Sequence, residues 1–79
     1  MEITVYGKTA CQDTITARTV LEETGRDYTW VDLEAEPDRW SEALAVNGGV
    51  SRAPTVVLPD GSALVEPSAE ELRERLAAF

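Results

Sequence analysis

The sequence lacks the residues from which compact metal and disulfide sites are usually built. It has no histidine and only one cysteine, Cys11, among 79 residues. One cysteine excludes an internal disulfide. Without histidine, a structural zinc site of the usual Cys/His kind is also excluded, and no ready general base exists near neutral pH. A chain this short must therefore be held together by apolar packing, for which 43% hydrophobic residues is an ordinary supply.

Positive charge is scarce as well. Seven basic residues face fifteen acidic ones, which gives a net charge of −8. Nucleic acids and anionic membranes attract basic surfaces, so we expect neither as a partner. There is no leader pattern and no apolar run of membrane length, so we expect a cytoplasmic protein whose lone thiol stays reduced until it reacts. We also expect a single domain over residues 1–79 and a monomer.

Hydrophobic periodicity divides the chain into seven elements. Segments rich in β-branched and aromatic residues predict strands, and apolar residues spaced at i, i+3, i+4 and i+7 predict helices. The predicted elements are a strand at 3–6, a helix from 11–13 to 24, a strand at 28–33, a helix at 37–47, strands at 55–58 and 62–65, and a helix that begins after Ser68. Strands joined through a helix should be parallel, and the last two should form a hairpin around Pro59-Asp60-Gly61. The predicted fold class is α/β, in the order β-α-β-α-β-β-α, with helices on both faces of a four-stranded mixed sheet.

The ends of two helices carry recognisable local signals. Asn47-Gly48-Gly49 is typical of a helix stop, because these residues tolerate positive φ. Ser68 and Glu71 have the spacing of a capping box at the start of the last helix. On that helix Leu72, Leu76 and Phe79 predict a buried stripe, and the other large aromatic residues are interpreted as packing residues.

Several short motifs occur in an order typical of one family. They are Val5-Tyr6-Gly7-Lys8-Thr9-Ala10-Cys11, Arg18, Tyr28, Val31-Asp32, Val46-Asn47-Gly48-Gly49, Ala53-Pro54-Thr55, Asp60-Gly61-Ser62 and Pro67-Ser68. With these motifs the chain resembles the glutaredoxins over essentially its whole length, and among them the mycoredoxin-like and NrdH-like proteins of actinobacteria. The resemblance implies a thioredoxin fold and thiol–disulfide chemistry.

The site motif departs from the family pattern of Cys-Pro-x-Cys, because this chain has Cys11-Gln12-Asp13-Thr14. The resemblance implies that Cys11 is the nucleophile, and threonine in the second cysteine position leaves only a monothiol mechanism. A helix N-terminus and a hydrogen bond from the Thr14 hydroxyl would favour the thiolate, whereas Asp13 would oppose it. The alternative is that Cys11 is an idle small hydrophobic residue, with Asp13 and Thr14 as ordinary first-turn residues.

The resemblance also implies a co-substrate that is not held tightly, either mycothiol or glutathione, and a protein partner that carries a mixed disulfide. The residues expected to bind the small thiol are Lys8, Gln12, Arg52, Ala53, Pro54, Pro67 and Ser68. In the thioredoxin fold the proline that matches Pro54 is cis, and the backbone of Ala53 would pair with the thiol's cysteinyl residue. No metal ligands are expected.

Ordinary structural interpretations stay open for the same residues. Pro54 also suits the start of a strand and Ser68 a helix cap. Arg18 and Arg52 could supply positive charge near the site or lie on a solvated surface. Pro67-Ser68 stands where glutaredoxins have a Gly-Gly-Cys-Asp pattern that binds a carboxylate of glutathione, so its absence favours mycothiol.

Three functional hypotheses follow from the sequence. The first is a monothiol oxidoreductase that acts through Cys11. The second is a non-catalytic binding module, which the altered Gln12-Asp13-Thr14 segment supports. The third is an iron–sulfur cluster carrier, in which two chains would each supply one cysteine. It ranks last, because monothiol relatives of that kind generally have Cys-Gly-Phe-Ser, which this chain lacks.

Overall fold

Four strands and three helices follow one another in the predicted order in a computed structural model, which describes residues 2–79. The strands are β1 (Thr4–Gly7), β2 (Thr29–Asp32), β3 (Thr55–Val57) and β4 (Ala63–Val65), and the helices are α1 (Gln12–Glu23), α2 (Trp40–Asn47) and α3 (Ala69–Leu76). A 3-10 turn at Pro37–Arg39 precedes α2, so the helix predicted from Pro37 onward is divided in two. No helix within residues 2–79 is long and apolar enough to cross a membrane.

The strands form one mixed sheet in the spatial order β2-β1-β3-β4. Strand β1 runs parallel to β2 and antiparallel to β3, and β3 is antiparallel to β4. The parallel pair and the hairpin are therefore as predicted. Side chains alternate between the two faces of a sheet. In this register Val5, Trp30 and Val56 share one face and Tyr6, Val31 and Thr55 share the other.

Helices cover both faces of the sheet. One core cluster joins α1 and α3 to the Val5 face, and its fully buried members include Ala17, Val20, Leu21, Leu72 and Leu76. A smaller cluster joins α2 to the Tyr6 face through Val31, Leu33 and Ala43. The result is a three-layer α/β/α arrangement, which confirms the predicted fold class.

The predicted hairpin turn and the predicted start of the last helix are both confirmed. The Leu58 N–H donates to the Ser62 carbonyl at 2.8 Å across the three-residue turn, and Gly61 adopts a φ of 87° that favours glycine. Ser68 is the N-cap of α3, and its hydroxyl oxygen accepts from the Glu71 N–H at 3.0 Å.

The buried stripe predicted for α3 was wrong at its end. Leu72 and Leu76 are 0% and 1% exposed, but Phe79 is 42% exposed. Helix α3 ends at Leu76, and the Phe79 N–H donates to the Leu76 carbonyl in a closing turn. Phe79 thus lies beyond the last helical turn, at a shallow surface pocket that Ile3 and Pro59 also line.

Gly7, the last residue of β1, is packed closely against the first turn of α1. A Cβ atom at residue 7 would lie 2.7 Å from both Cγ2 and Oγ1 of Thr14 and 3.2 Å from Cζ3 of Trp30. Real Cβ atoms essentially never approach other atoms at the shorter of these distances. Glycine is therefore required here by space, and the contact sets how closely the first turn of α1 approaches the sheet.

We expect Gly7→Ala to destabilise the protein by about 1–3 kcal/mol, because the added methyl group must displace Thr14 or the helix. Urea denaturation measures the change. In a Thr14→Ala background, which lacks both of the nearest atoms, the same substitution should cost clearly less. An equal cost in the two backgrounds would show that the contact with Thr14 does not explain the glycine.

Candidate functional site

The candidate site lies at the end of the sheet where β1, β2 and β4 finish and β3 begins. Parallel strands end at the same edge, and the antiparallel pairing of β3 makes it start there. Three segments that the sequence singled out are thereby brought to one edge: 8–14 after β1, 52–54 before β3, and 66–68 after β4. Tyr6 pairs with Thr55, so continuing this register by one residue places Pro54 opposite Gly7.

Cys11 is the N-cap of α1, in an extended conformation with φ −76° and ψ 125°. Its N–H donates to the Lys8 carbonyl at 3.1 Å, and its carbonyl accepts from the Ile15 N–H at 2.9 Å. The thiol is free and partly exposed, unlike that of a buried structural cysteine. A side chain at this position lies next to the first N–H groups of the helix, which have no partner within the helix and carry partial positive charge.

Thr14 does not make the predicted hydrogen bond. Its side chain is fully buried, and its Oγ1 accepts from the Lys8 N–H at 3.3 Å. No hydrogen bond joins it to the Cys11 sulfur among residues 2–79. The reason is that Thr14 is turned inward by its packing against Gly7, so it shapes the loop before Cys11 instead of contacting the thiol.

The other charged and polar groups of this loop face solvent. Gln12 and Asp13 are exposed in the first turn of α1. Lys8 is exposed too, with its ammonium 5.9 Å from the centroid of the Trp40 ring, which is within cation–π range. No carboxylate within residues 2–79 pairs with it. Trp40, which the sequence suggested only as a packing residue, therefore flanks the basic group of the site.

Ala53 and Pro54 are joined by a cis peptide bond, as the resemblance implied. Pro54 is buried, and its carbonyl accepts from the Glu66 N–H at 2.9 Å. The N–H and C=O of Ala53 take part in no hydrogen bond within residues 2–79. A half-buried residue with both main-chain groups unpaired can hydrogen-bond the backbone of a bound peptide as an added strand does.

Two of the predicted thiol-binding side chains are engaged in structural contacts. Arg52 is 67% exposed and forms an ion pair with Glu66 at 3.1 Å. The Ser68 hydroxyl is committed to the Glu71 N–H as the helix cap, and Pro67 beside it is buried. Glu66 itself has a φ of 49°, in the left-handed region that few non-glycine residues adopt. The corner before α3 therefore brings an exposed arginine next to a carboxylate that offsets part of its charge.

Arg18, which the sequence suggested as a source of positive charge near the site, is held by aromatic residues in and next to β2. Its guanidinium stacks 4.0 Å from the centroid of the Trp30 ring, and its Nε donates to the Tyr28 hydroxyl at 3.0 Å. The Tyr28 hydroxyl in turn donates to Glu22 at 2.6 Å. Burial, and then the hydrogen bond to Glu22, raise the pKa of Tyr28 above its usual 10.0. These residues join α1 to β2.

Sequence reasoning missed the role of Asn47, which it interpreted only as part of a helix stop. Its side-chain amide makes four hydrogen bonds, two as donor and two as acceptor: three lie within the segment that leads to Ala53, and the fourth reaches Thr55 in β3. The presence of asparagine before two glycines was the available signal. The hydrogen bond from Asn47 to Thr55 in β3 could not be predicted from the sequence. No group of three or more Cys, Asp or Glu side chains within residues 2–79 is arranged to hold a metal ion.

Comparison with known proteins agrees with this geometry. The sequence model of the family described as "Glutaredoxin" matches residues 3–63. Two proteins from two strains of Mycobacterium tuberculosis, each named "Putative glutaredoxin", are 34% identical to this chain over 74 residues, which is 94% of this chain and 88% of theirs.

A solved structure has the same fold. It is the glutaredoxin-like protein NrdH-redoxin from Escherichia coli, described as having a thioredoxin-like activity profile. The TM-score is 0.76 at 22% sequence identity, with 94% of this chain and 93% of that chain covered. This similarity confirms the predicted thioredoxin fold.

We expect Thr14→Val to destabilise the protein by about 1–3 kcal/mol, because valine has the same shape but leaves the Lys8 N–H without its acceptor. Thr14→Ser keeps the hydroxyl and should retain the bond. Hydrogen exchange of the Lys8 amide, followed by NMR, should accelerate in the valine variant and much less in the serine variant. Equal protection in both variants would contradict the assignment of this hydrogen bond.

Tyr28 should make stability depend on pH under alkaline conditions. Since its pKa is raised in the folded state, its contribution is fully present below pH 10.0 and is lost as the pH rises through the higher folded-state value. Tyrosinate absorbance should therefore appear at higher pH in the native protein than in the urea-unfolded chain. Tyr28→Phe should flatten the alkaline fall in unfolding free energy. A parallel fall in wild type and variant would contradict this.

Proposed function

The chain belongs to the glutaredoxin family, and from this premise we propose that it is a monothiol thiol–disulfide oxidoreductase. In this proposal Cys11 reduces mixed disulfides between proteins and a low-molecular-weight thiol. The observation that carries the proposal is the partly exposed thiol at the N-cap of α1. It is supported by the unpaired backbone groups of Ala53 at the same end of the sheet.

The reaction needs one cysteine and two exchange steps. The Cys11 thiolate attacks the small-thiol sulfur of the mixed disulfide, a Cys11–small-thiol disulfide forms, and the protein leaves as a thiolate that takes a proton from water. A second small thiol, as its thiolate, then attacks that sulfur, releasing the Cys11 thiolate and a disulfide of two small thiols. In the net reaction one small thiol is consumed, the mixed disulfide is exchanged for a disulfide of two small thiols and the protein thiol is released, so electrons balance without a second cysteine.

The residues around Cys11 have distinct parts in this scheme. The first N–H groups of α1 stabilise negative charge on the sulfur, and the free ammonium of Lys8 attracts an anionic thiolate. Ala53 donates and accepts main-chain hydrogen bonds to the cysteinyl part of the small thiol, with Pro54 packed behind it. Gln12 is exposed next to the sulfur and contacts the same ligand.

Among small thiols, mycothiol suits the corner before α3 better than glutathione does. Arg52 is paired with Glu66, and the Ser68 hydroxyl is used by the helix cap. The Glu66 carboxylate offsets the charge of Arg52 and repels a carboxylate of the small thiol. The uncharged sugar and inositol groups of mycothiol meet no such repulsion. We further propose that the protein works as a monomer in the reducing cytoplasm.

A non-catalytic binding module is the second candidate, and the orientation of Thr14 favours it. The residue in the second cysteine position contacts Lys8 instead of the sulfur, so the motif has lost one means of stabilising a thiolate. Under this alternative, replacing Cys11 would leave binding to a partner intact.

The test is the reaction of the purified protein with a model peptide that carries either mycothiol or glutathione as a mixed disulfide, followed by intact mass. We expect uptake of one small thiol, at least about tenfold faster than by a free cysteine peptide, equivalent to roughly 1.4 kcal/mol. The mixed disulfide with mycothiol should react faster than the one with glutathione, and Lys8→Gln should slow both reactions. Cys11→Ser should form no adduct.

The test separates the enzyme from the binding module. Absence of an adduct, or a rate equal to that of the free cysteine peptide, would leave the binding module as the function. A faster reaction with glutathione than with mycothiol would keep the chemistry and overturn only the assignment of the small thiol.

A further inference from the structure

The connection between α2 and β3, residues 48–54, carries the site residues that come before β3, including Pro54. It contains Arg52 and Ala53 and has no helix or strand of its own. Gly48 and Gly49 both have positive φ, so the backbone at its start is not stiffened by side chains. Something else must hold Ala53 in place if its main-chain groups are to meet a substrate at Cys11.

The Asn47 side chain forms hydrogen bonds with two residues of this connection and with β3. Its Nδ2 donates to the Val50 carbonyl at 2.8 Å and to the Thr55 hydroxyl at 2.9 Å. Its Oδ1 accepts from the N–H groups of Gly49 at 3.1 Å and Val50 at 2.9 Å. Both amide hydrogens and both acceptor positions of the side chain are thus used.

The contact with Thr55 anchors the connection to the sheet. Thr55 is fully buried and is the first residue of β3, where it pairs with Tyr6 on one side and Val65 on the other. The Val50 carbonyl that Asn47 binds also accepts from the Arg52 N–H at 2.9 Å. Hydrogen bonds therefore run from the buried strand through Asn47 and Val50 to the residue before Ala53.

We propose that Asn47 is a positioning residue for the exchange reaction. It fixes the backbone of Ala53 relative to Cys11, so that a cysteinyl substrate docks with its disulfide within reach of the thiolate. The proposal rests on the proposed function of the same site. Its consequence is that loss of the Asn47–Thr55 bond weakens docking of a peptide disulfide while leaving the intrinsic reactivity of the thiol unchanged.

Two variants separate this role from general stability. Thr55→Val preserves the shape and strand preference of a buried β-branched residue and removes only the acceptor for Asn47. Asn47→Asp preserves the acceptors for Gly49 and Val50 and removes both donated bonds. Thr29→Val is the matched control, since it removes a hydroxyl from the other edge of the sheet, where the structure shows only an exposed contact with Glu2.

Each protein is assayed with the peptide mixed disulfide and, separately, with iodoacetamide, which alkylates the thiolate without needing a peptide-docking surface. For Thr55→Val and Asn47→Asp we expect KM for the peptide to rise about five- to tenfold, while kcat and the alkylation rate change less than about twofold. Thr29→Val should match wild type in all three quantities. Urea denaturation confirms that each variant is folded under assay conditions.

The outcomes distinguish this proposal from the one it rests on. A wild-type protein that is alkylated but forms no adduct with the mixed disulfide would remove the proposed function and this role with it. Wild-type activity with an unchanged KM in folded Thr55→Val and Asn47→Asp would overturn the positioning role alone. Alkylation that slows as much as the exchange reaction would also overturn it, because the substitutions would then act on the thiol itself.

Discussion

The structure depends on one close approach, that of the first turn of α1 to the end of β1. Gly7 has no side chain because Thr14 occupies the space, and the Thr14 hydroxyl oxygen then accepts the N–H of Lys8, one residue further along. These two contacts determine how the chain turns from strand to helix, and Cys11 lies within that turn as the helix N-cap. If the first turn of α1 lay farther from β1, the loop between them would be stretched and Cys11 would move away from the end of the sheet where Ala53 and Pro54 lie.

The site formed in this way consists mostly of main-chain groups. Cys11 is the N-cap of α1, beside the first N–H groups of that helix, and Ala53 presents an unpaired N–H and C=O. The side chains with the clearest binding chemistry are used elsewhere, since Arg52 pairs with Glu66 and the Ser68 hydroxyl caps α3. Recognition by backbone groups depends little on what the ligand carries beyond its cysteinyl portion. In the proposed function, selection among thiols would therefore come from charge, with Lys8 favouring and Glu66 opposing anionic groups.

Much of the fold could be predicted from the sequence because its signals are local. Periodicity, the turn at Gly61 and the cap at Ser68 each depend on residues within one turn of one another. The errors concern side chains whose direction depends on tertiary packing. Thr14 has good spacing to reach Cys11 but is drawn inward by Gly7, and Arg18 finds an aromatic face on β2 that only the folded sheet presents. The cis bond at Pro54 was available through family resemblance alone, since local sequence rarely indicates it.

Asn47 shows how a small protein without disulfides can keep a loop in register. A metal or a disulfide would do so more strongly, but one cysteine and no histidine exclude the usual forms of both. A carboxylate in the place of this amide would accept the same two N–H groups, yet it would lose both donated bonds and add negative charge to a protein that already carries −8. A neutral side chain with two donors and two acceptors makes all four bonds without adding charge, so asparagine is the residue type that can tie both the connection and β3 to the end of α2.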